Sequence, residues 1–243
     1  MILRYVAVLA LLSFASFRAI AGDAQQLYYA LRTKVLQVKD YTADVNLKID
    51  INYMKIPQLA GKLYFKAPDK MKMERKDGIS ILPRKNINLT LSSLIPAGNV
   101  AVIDVGIATI KGRTLRILKV IPEEDNTGIV LTKIWIDEAS VLAYRTETTT
   151  KDEGTVVLDL EYGKYASKSL PDKIAITMDV KEYKLPQGIT MDYSEVPQAE
   201  EIKKQMKDAK GKKGVIEIHY LNYVVNKGLD DAIFADKKAA GKK

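Results

Sequence analysis

Two periodicities organise the chain. From Tyr41 to Tyr53, in YTADVNLKIDINY, every odd position is apolar (Tyr41, Ala43, Val45, Leu47, Ile49, Ile51, Tyr53) and every even position is polar or charged. Successive side chains of a strand point to opposite faces, so this unbroken alternation predicts one long β-strand with a single apolar face. At ~3.4 Å per residue the run spans roughly 44 Å, whereas most strands hold about five or six residues. Its oily strip faces either the protein's own core or something that the protein carries.

Upstream, Asp23 to Asp40 (DAQQLYYALRTKVLQVKD) sets Leu27, Ala30, Leu31, Val35 and Val38 three and four apart without Pro or Gly. That spacing predicts an amphipathic helix whose apolar stripe needs a surface to cover. Downstream, IPQLAG, with Pro57 and Gly61, reads as a turn. KLYFKAP and DKMKMER then read as strands that carry Leu63, Phe65, Met71 and Met73 on one face, and Asp77-Gly78 predicts a tight hairpin into ISILP. NINLTLSSLIPAGN mixes periods and reads as a short helix or an irregular flap.

Strand patterns resume at VAVID, RTLRILKVIP, IVLTKIWID, VLAYRTETTT, GTVVLDLEY and DKIAITMDV, with turn residues between them at Asn126-Thr127-Gly128, Lys151 to Gly154 and Leu170-Pro171-Asp172. Strands at such even spacing predict one antiparallel sheet rather than βαβ units. Trp135, the single Trp, reads as sheet core. GVIEIHYLNYVVN is a further strand, and GLDDAIFA a short closing helix capped near Asp230. Before that last strand, about 185–213 is Pro-containing and then densely charged from Glu200 to Lys213. It reads as a charged insertion, its last part either a solvated helix or partly disordered. The fold class expected is α+β, with residues 22–243 as one domain.

The first residues, MILRYVAVLALLSFASFRAIAG, have a different logic. Arg4 supplies a basic start, Val6 to Phe17 an apolar stretch, and Ala19-Ile20-Ala21 small residues at a cleavage position. This three-part layout predicts a secretory signal peptide over residues 1–21, and the apolar stretch is shorter than the ~20 residues that span a bilayer. Export to the periplasm is the expected destination. Without Cys, the mature chain has no N-terminal thiol for a lipid anchor. Loss of Arg4 and Arg18 with the leader lowers the formal net charge from +8 by two. The remaining basic balance suits an anionic lipid surface or serves solubility alone; nucleic acid is not an expected partner of an exported protein.

Candidate chemistry is sparse. One His, His219, in the strand IEIHYLNY, and no Cys leave no zinc constellation and no Ser–His–Asp or Cys–His arrangement. Neither GxxxxGK[ST] nor GxGxxG occurs. No catalytic residue, metal or cofactor is expected, and the chain does not read as an enzyme.

The order of elements carries a resemblance. A leader, an apolar-faced helix, a long alternating strand and then GKLYFKAPDKMKME, with Gly61, Lys66, Pro68 and Lys70 in place, resembles the LolA-like family of periplasmic lipoprotein carriers. YLNYVVNKGLDDAIF (Tyr220 to Phe234) is similar to the closing strand and helix of that family's relatives. The resemblance implies a single curved antiparallel sheet forming an unclosed β-barrel, with the N-terminal helix and short helices covering its concave face. It also implies a monomeric, soluble carrier that shelters lipoprotein or lipid acyl chains for delivery to the outer membrane, with membrane-associated donor and acceptor proteins as partners. The residues implied to line the acyl cavity are Val45, Leu47, Ile49, Ile51, Leu63, Phe65, Met71 and Met73, with Leu31 and Val35 on the lid. Where family carriers often place an Arg before the turn proline, this chain has Ala67. An alternative on the same fold is an envelope sensor or interaction module that binds a protein partner.

Overall fold

The alternating run folds as β1, Asp40–Ile51, with Tyr41, Ala43, Val45 and Leu47 buried and the residues between them half-buried or exposed. The computed structural model describes residues 18–51, 54, 55, 58–75, 80, 81, 95, 96, 98–124, 128–151, 154–179 and 213–235. Residues 1–17 of the expected leader, most of the flap that precedes Val100, the Asp77-Gly78 turn and nearly all of the charged insertion lie outside these residues, while Arg18 to Ala21 of that leader form the start of a helix.

Helix α1 (Arg18–Leu36) precedes β1. The other strands are β2 (Met54–Lys55), β3 (Leu59–Lys66), β4 (Lys70–Arg75), β5 (Ser80–Ile81), β6 (Val100–Ile110), β7 (Arg113–Pro122), β8 (Ile129–Asp137), β9 (Leu142–Thr150), β10 (Gly154–Glu161), β11 (Lys173–Asp179) and β12 (Lys213–Val225). A one-turn 3₁₀ helix, Asp231–Phe234, comes last, and the Asp230 side chain caps it by accepting from the Ala232 N–H. All strands join one antiparallel sheet in the order β5-β4-β3-β1-β12-β11-β10-β9-β8-β7-β6, with β2 on the end of β1. The sheet does not close: β5 and β6 are its two ends. This is the unclosed barrel that the family resemblance implied.

Two sequence expectations need correction. Gly61 lies inside β3 rather than in a turn. A Cβ there would come within 2.5 Å of the Glu74 carbonyl oxygen on β4, so the position needs glycine for the close approach of two backbones. Trp135 alternates with the buried Ile134 and Ile136 and therefore occupies the opposite, outer face, where it is half-buried.

Bulges explain where simple alternation fails. Strand β6, whose alternating pattern ends near Asp104 in the sequence, continues to Ile110. Asp104 pairs with Leu118 and Gly106 with Ile117, which leaves Val105 as an extra residue. Gly106 takes φ of +114° there, and its N–H donates to Asp104 Oδ1 at 2.9 Å. The same displacement leaves Leu221 unpaired on β12, and Val130 on β8. Val105, Val130 and Leu221, the residues left over by these bulges, are 51%, 43% and 52% exposed.

Candidate functional site

The core lies on one face of the sheet, the inner face, and α1 lies over it. Ala24, Tyr28, Leu31 and Val35 are buried in the same apolar cluster as the odd-numbered residues of β1. Their spacing of four, three and four keeps them on one side of the helix. The stripe differs from the one expected: Ala30 is exposed, Ala24 and Tyr28 are buried, and Val38 lies beyond the helix end at Leu36. Apolar spacing alone misses Tyr28 because its ring is apolar and its hydroxyl is not. Here the ring is buried, and the hydroxyl donates to the Pro96 carbonyl at 2.8 Å. Burial pushes its phenol up to about 12.

Polar contacts hold the helix along its margins. Arg32 donates to the Gly98 carbonyl at 3.2 Å and Lys34 to the Ser140 carbonyl at 2.6 Å. Near the N-terminal end, Arg116 of β7 donates to Asp23 at 2.8 Å and to Asp104 at 2.7 and 3.0 Å. The Arg116 side chain is 10% exposed. Its guanidinium hydrogen bonds hold the Asp104 carboxyl below its usual value, against a desolvation effect that works the other way.

Beneath the helix, antiparallel register aligns residues into rungs that cross the sheet. Leu59, Leu47, Ile218, Ile174 and Leu160 form one rung over five strands. The next runs through Ile49, Ile216, Ile176, Leu158, Thr146, Ile134, Leu118 and Asp104. Strands lie ~4.8 Å apart, so that second rung covers roughly 34 Å from β1 to β6. Its residues are apolar apart from Thr146 and the terminal Asp104.

An aromatic wall stands at one end of the inner face. Tyr41 stacks on Phe65 (centroids 5.1 Å apart), Tyr223 meets Tyr41 edge-on at 5.2 Å, and Tyr220 stacks on Tyr223 at 5.1 Å. Tyr220 and Tyr223 are three residues apart, which in a regular strand would send them to opposite faces. The Leu221 bulge turns both inward. Sequence reading misses this wall because nothing in IEIHYLNYVV marks the bulge. The Tyr223 hydroxyl donates to the Pro171 carbonyl at 2.8 Å, and burial raises the phenols of Tyr41, Tyr220 and Tyr223 so that they stay protonated.

Of the residues expected to line a cavity, Val45, Leu47, Leu63, Phe65 and Met73 are buried on the inner face together with Leu31 and Val35, and Met71 packs against them half-buried. Ile49 pairs with Ile216, and Ile51 with Gly214; their side chains lie outside the described residues. In this conformation these residues and the helix side chains Ala24, Tyr28, Leu31 and Val35 form one buried apolar cluster.

The outer face holds polar structure. Lys66 donates to the Leu229 carbonyl at 2.8 Å and pairs with Asp231 at 2.6 Å. Lys72, its side chain 5% exposed, donates to the Ile233 carbonyl at 2.9 Å and pairs with Glu74 at 2.8 Å. The closing 3₁₀ turn is thus strapped to the face of β3–β4 opposite the core, so it covers the outer rather than the inner side. His219 is on the outer face beside Glu217, 3.8 Å away. Among the described residues no group of three His, Cys, Asp or Glu is placed to hold a metal ion, and no helix is long and apolar enough to cross a membrane.

An unclosed antiparallel half-barrel with an amphipathic helix over its apolar inner face defines a structural class, and solved structures share it. The chain aligns with a domain described as an outer membrane lipoprotein-sorting protein from Vibrio parahaemolyticus at a TM-score of 0.53, 13% identity, 88% of this chain and 97% of that one. A LolA superfamily protein from Nitrosomonas europaea aligns at 0.53 and 11% identity, with the same 88% and 97% coverage. The fold is therefore the LolA fold. No family model matches the sequence, and no curated protein does.

Proposed function

We propose that this protein is a periplasmic carrier of acylated ligands, lipoproteins or lipids, with no covalent chemistry of its own. The observation that supports it is the pairing of an inner face, apolar across successive strands, with a helix whose polar tethers sit at its margins. A 16-carbon acyl chain exposed to water carries on the order of 12 kcal/mol of unfavourable apolar hydration, at about 0.8 kcal/mol per CH₂. Such a chain crosses an aqueous compartment inside an oily shelter. Swinging α1 outward exposes Val45, Leu47, Leu63 and Phe65 beneath Leu31 and Val35, and the chain takes the place of the helix side chains. Apolar surface is exchanged for apolar surface, so the exchange costs far less than opening the sheet to water.

In this reading residues 1–21 direct export and are removed, and the carrier acts as a monomer between membrane-associated donor and acceptor proteins. The test is organic extraction and native mass spectrometry of protein purified from a host with a Gram-negative envelope. Acyl species bound at close to one per chain are expected. A preparation free of acyl chains that also takes up no added fatty ester would exclude carriage.

A further inference from the structure

The inner face contains one polar feature that a greasy shelter does not need. Thr146 on β9 lies between Ile134 on β8 and Leu158 on β10. It is 0% exposed, and its Oγ1 has no hydrogen-bond partner among the described residues. One step along the strand on the same face, roughly 7 Å away, Thr148 lies opposite Thr132. Both are 0% exposed, and their hydroxyls are 3.1 Å apart. Three hydroxyls therefore form a patch in the middle of a floor otherwise made of Ile, Leu and Val.

Valine has nearly the shape of threonine, is at least as favourable in a strand, and would bury no unsatisfied hydroxyl. A protein needing only apolar cover would be more stable with Val at position 146. A buried donor kept against that cost points to a partner that arrives with the ligand.

From this geometry, and resting on the carrier reading above, we infer that Thr146, beside the Thr132–Thr148 pair, is a subsite for the neutral ester carbonyl of an acyl ligand. The Thr146 hydroxyl donates to the carbonyl oxygen. The tail then runs along the rung over Leu158, Ile176 and Ile216 toward β1, a track of roughly 19 Å at ~4.8 Å per strand. The partner is an ester rather than a free carboxylate because the cross-strand neighbours of the patch, Ile134, Leu158 and Val156, carry no charge. An ionised carboxylate without a cation is strongly disfavoured there.

The experiment is a competition. Full-length protein is incubated with equal amounts of methyl palmitate and nonadecane, which match in heavy atoms, and the retained molecules are extracted and quantified. Comparing the ester-to-alkane ratio between variants cancels the different partitioning of the two probes. Thr146→Val is expected to lower that ratio about threefold to tenfold, the effect of one lost hydrogen bond, while raising the melting temperature. Thr146→Ser, which keeps the hydroxyl, is expected to retain the wild-type ratio. Equal ratios in wild type and Thr146→Val, with both probes bound, overturn the subsite and leave the carrier reading standing. Failure of wild type to retain either probe overturns the carrier reading, and the subsite with it.

Discussion

Gly61 and Thr146 carry opposite lessons about single positions. At Gly61 the constraint is steric: the Glu74 carbonyl fills the place of a Cβ, and the strand pair β3–β4 holds Met73, Leu63 and Phe65 in the core. Gly61→Ala is expected to destabilise the protein by about 1–3 kcal/mol, the usual range for overpacking, as measured by urea denaturation. A change within ±0.5 kcal/mol would show that β4 moves aside freely. At Thr146 the information lies in a polar atom left over. Both residues look unremarkable in the sequence, Gly61 as turn punctuation and Thr146 as one of several threonines in TETTT. What distinguishes them is a neighbour from another strand.

Helix α1 and its tethers set behaviour at the scale of elements. Tyr28, Leu31 and Val35 bind it to the sheet through apolar burial, which persists over a wide pH range. Arg116 binds its N-terminal half through charge, at Asp23. Arg116→Met removes hydrogen bonds to Asp23 and Asp104 and leaves Asp104 without its guanidinium. It is expected to cost about 2 kcal/mol and, on the proposed carrier function, to speed the exchange of a bound fluorescent fatty ester, read by stopped flow, because a less tethered helix lifts more readily. Slower or unchanged exchange would place the gate elsewhere. The acid dependence has a definite sign. Asp104 is held below its ordinary value of 3.8; its contribution is therefore complete above that value and fades as the pH falls through the lowered one. Glu161 and Glu217, held down by Lys111 and Lys173, act in the same direction. The difference in stability between wild type and Arg116→Met should accordingly shrink below about pH 4, whereas a constant difference down to pH 2 would remove Asp104 from the account.

For the molecule as a whole, topology dominates. The first strand pairs with the last, Tyr41 opposite Val225, while β6 to β11 form a sequential meander. Closing so long a loop before β1 and β12 can pair makes folding slow. Refolding monitored by Trp135 fluorescence is expected on the millisecond-to-second scale or slower, and a microsecond phase that recovers all native signal would contradict that topology. The strap of Lys66 and Lys72 on the segment after β12 fastens the end of the chain to β3–β4. It crosses β1 on the outer face, while α1 lies on the inner face.

The hydrophobic pattern alone located most of the strands and, for most of them, the greasy face. RTLRILKVIP and IVLTKIWID coincide with β7 and β8, because the side-chain period of a strand is local and survives any packing. The order of elements pointed to one antiparallel sheet, and the family resemblance it carries implied the unclosed barrel. Tertiary structure decided everything that depends on register. The bulges at Val105, Val130 and Leu221 each shift the cross-strand register by one residue. One of them assembles Tyr220 and Tyr223 into a wall, another carries β6 past Asp104, and the eight-strand rung that isolates Thr146 exists only once every pairing is set. A bulge costs one residue and has no fixed sequence signature, and a cross-strand neighbour is defined by hydrogen bonds between distant segments. The outline of a greasy sheet under a helix could therefore be read along the chain, and the polar subsite within it only across the sheet.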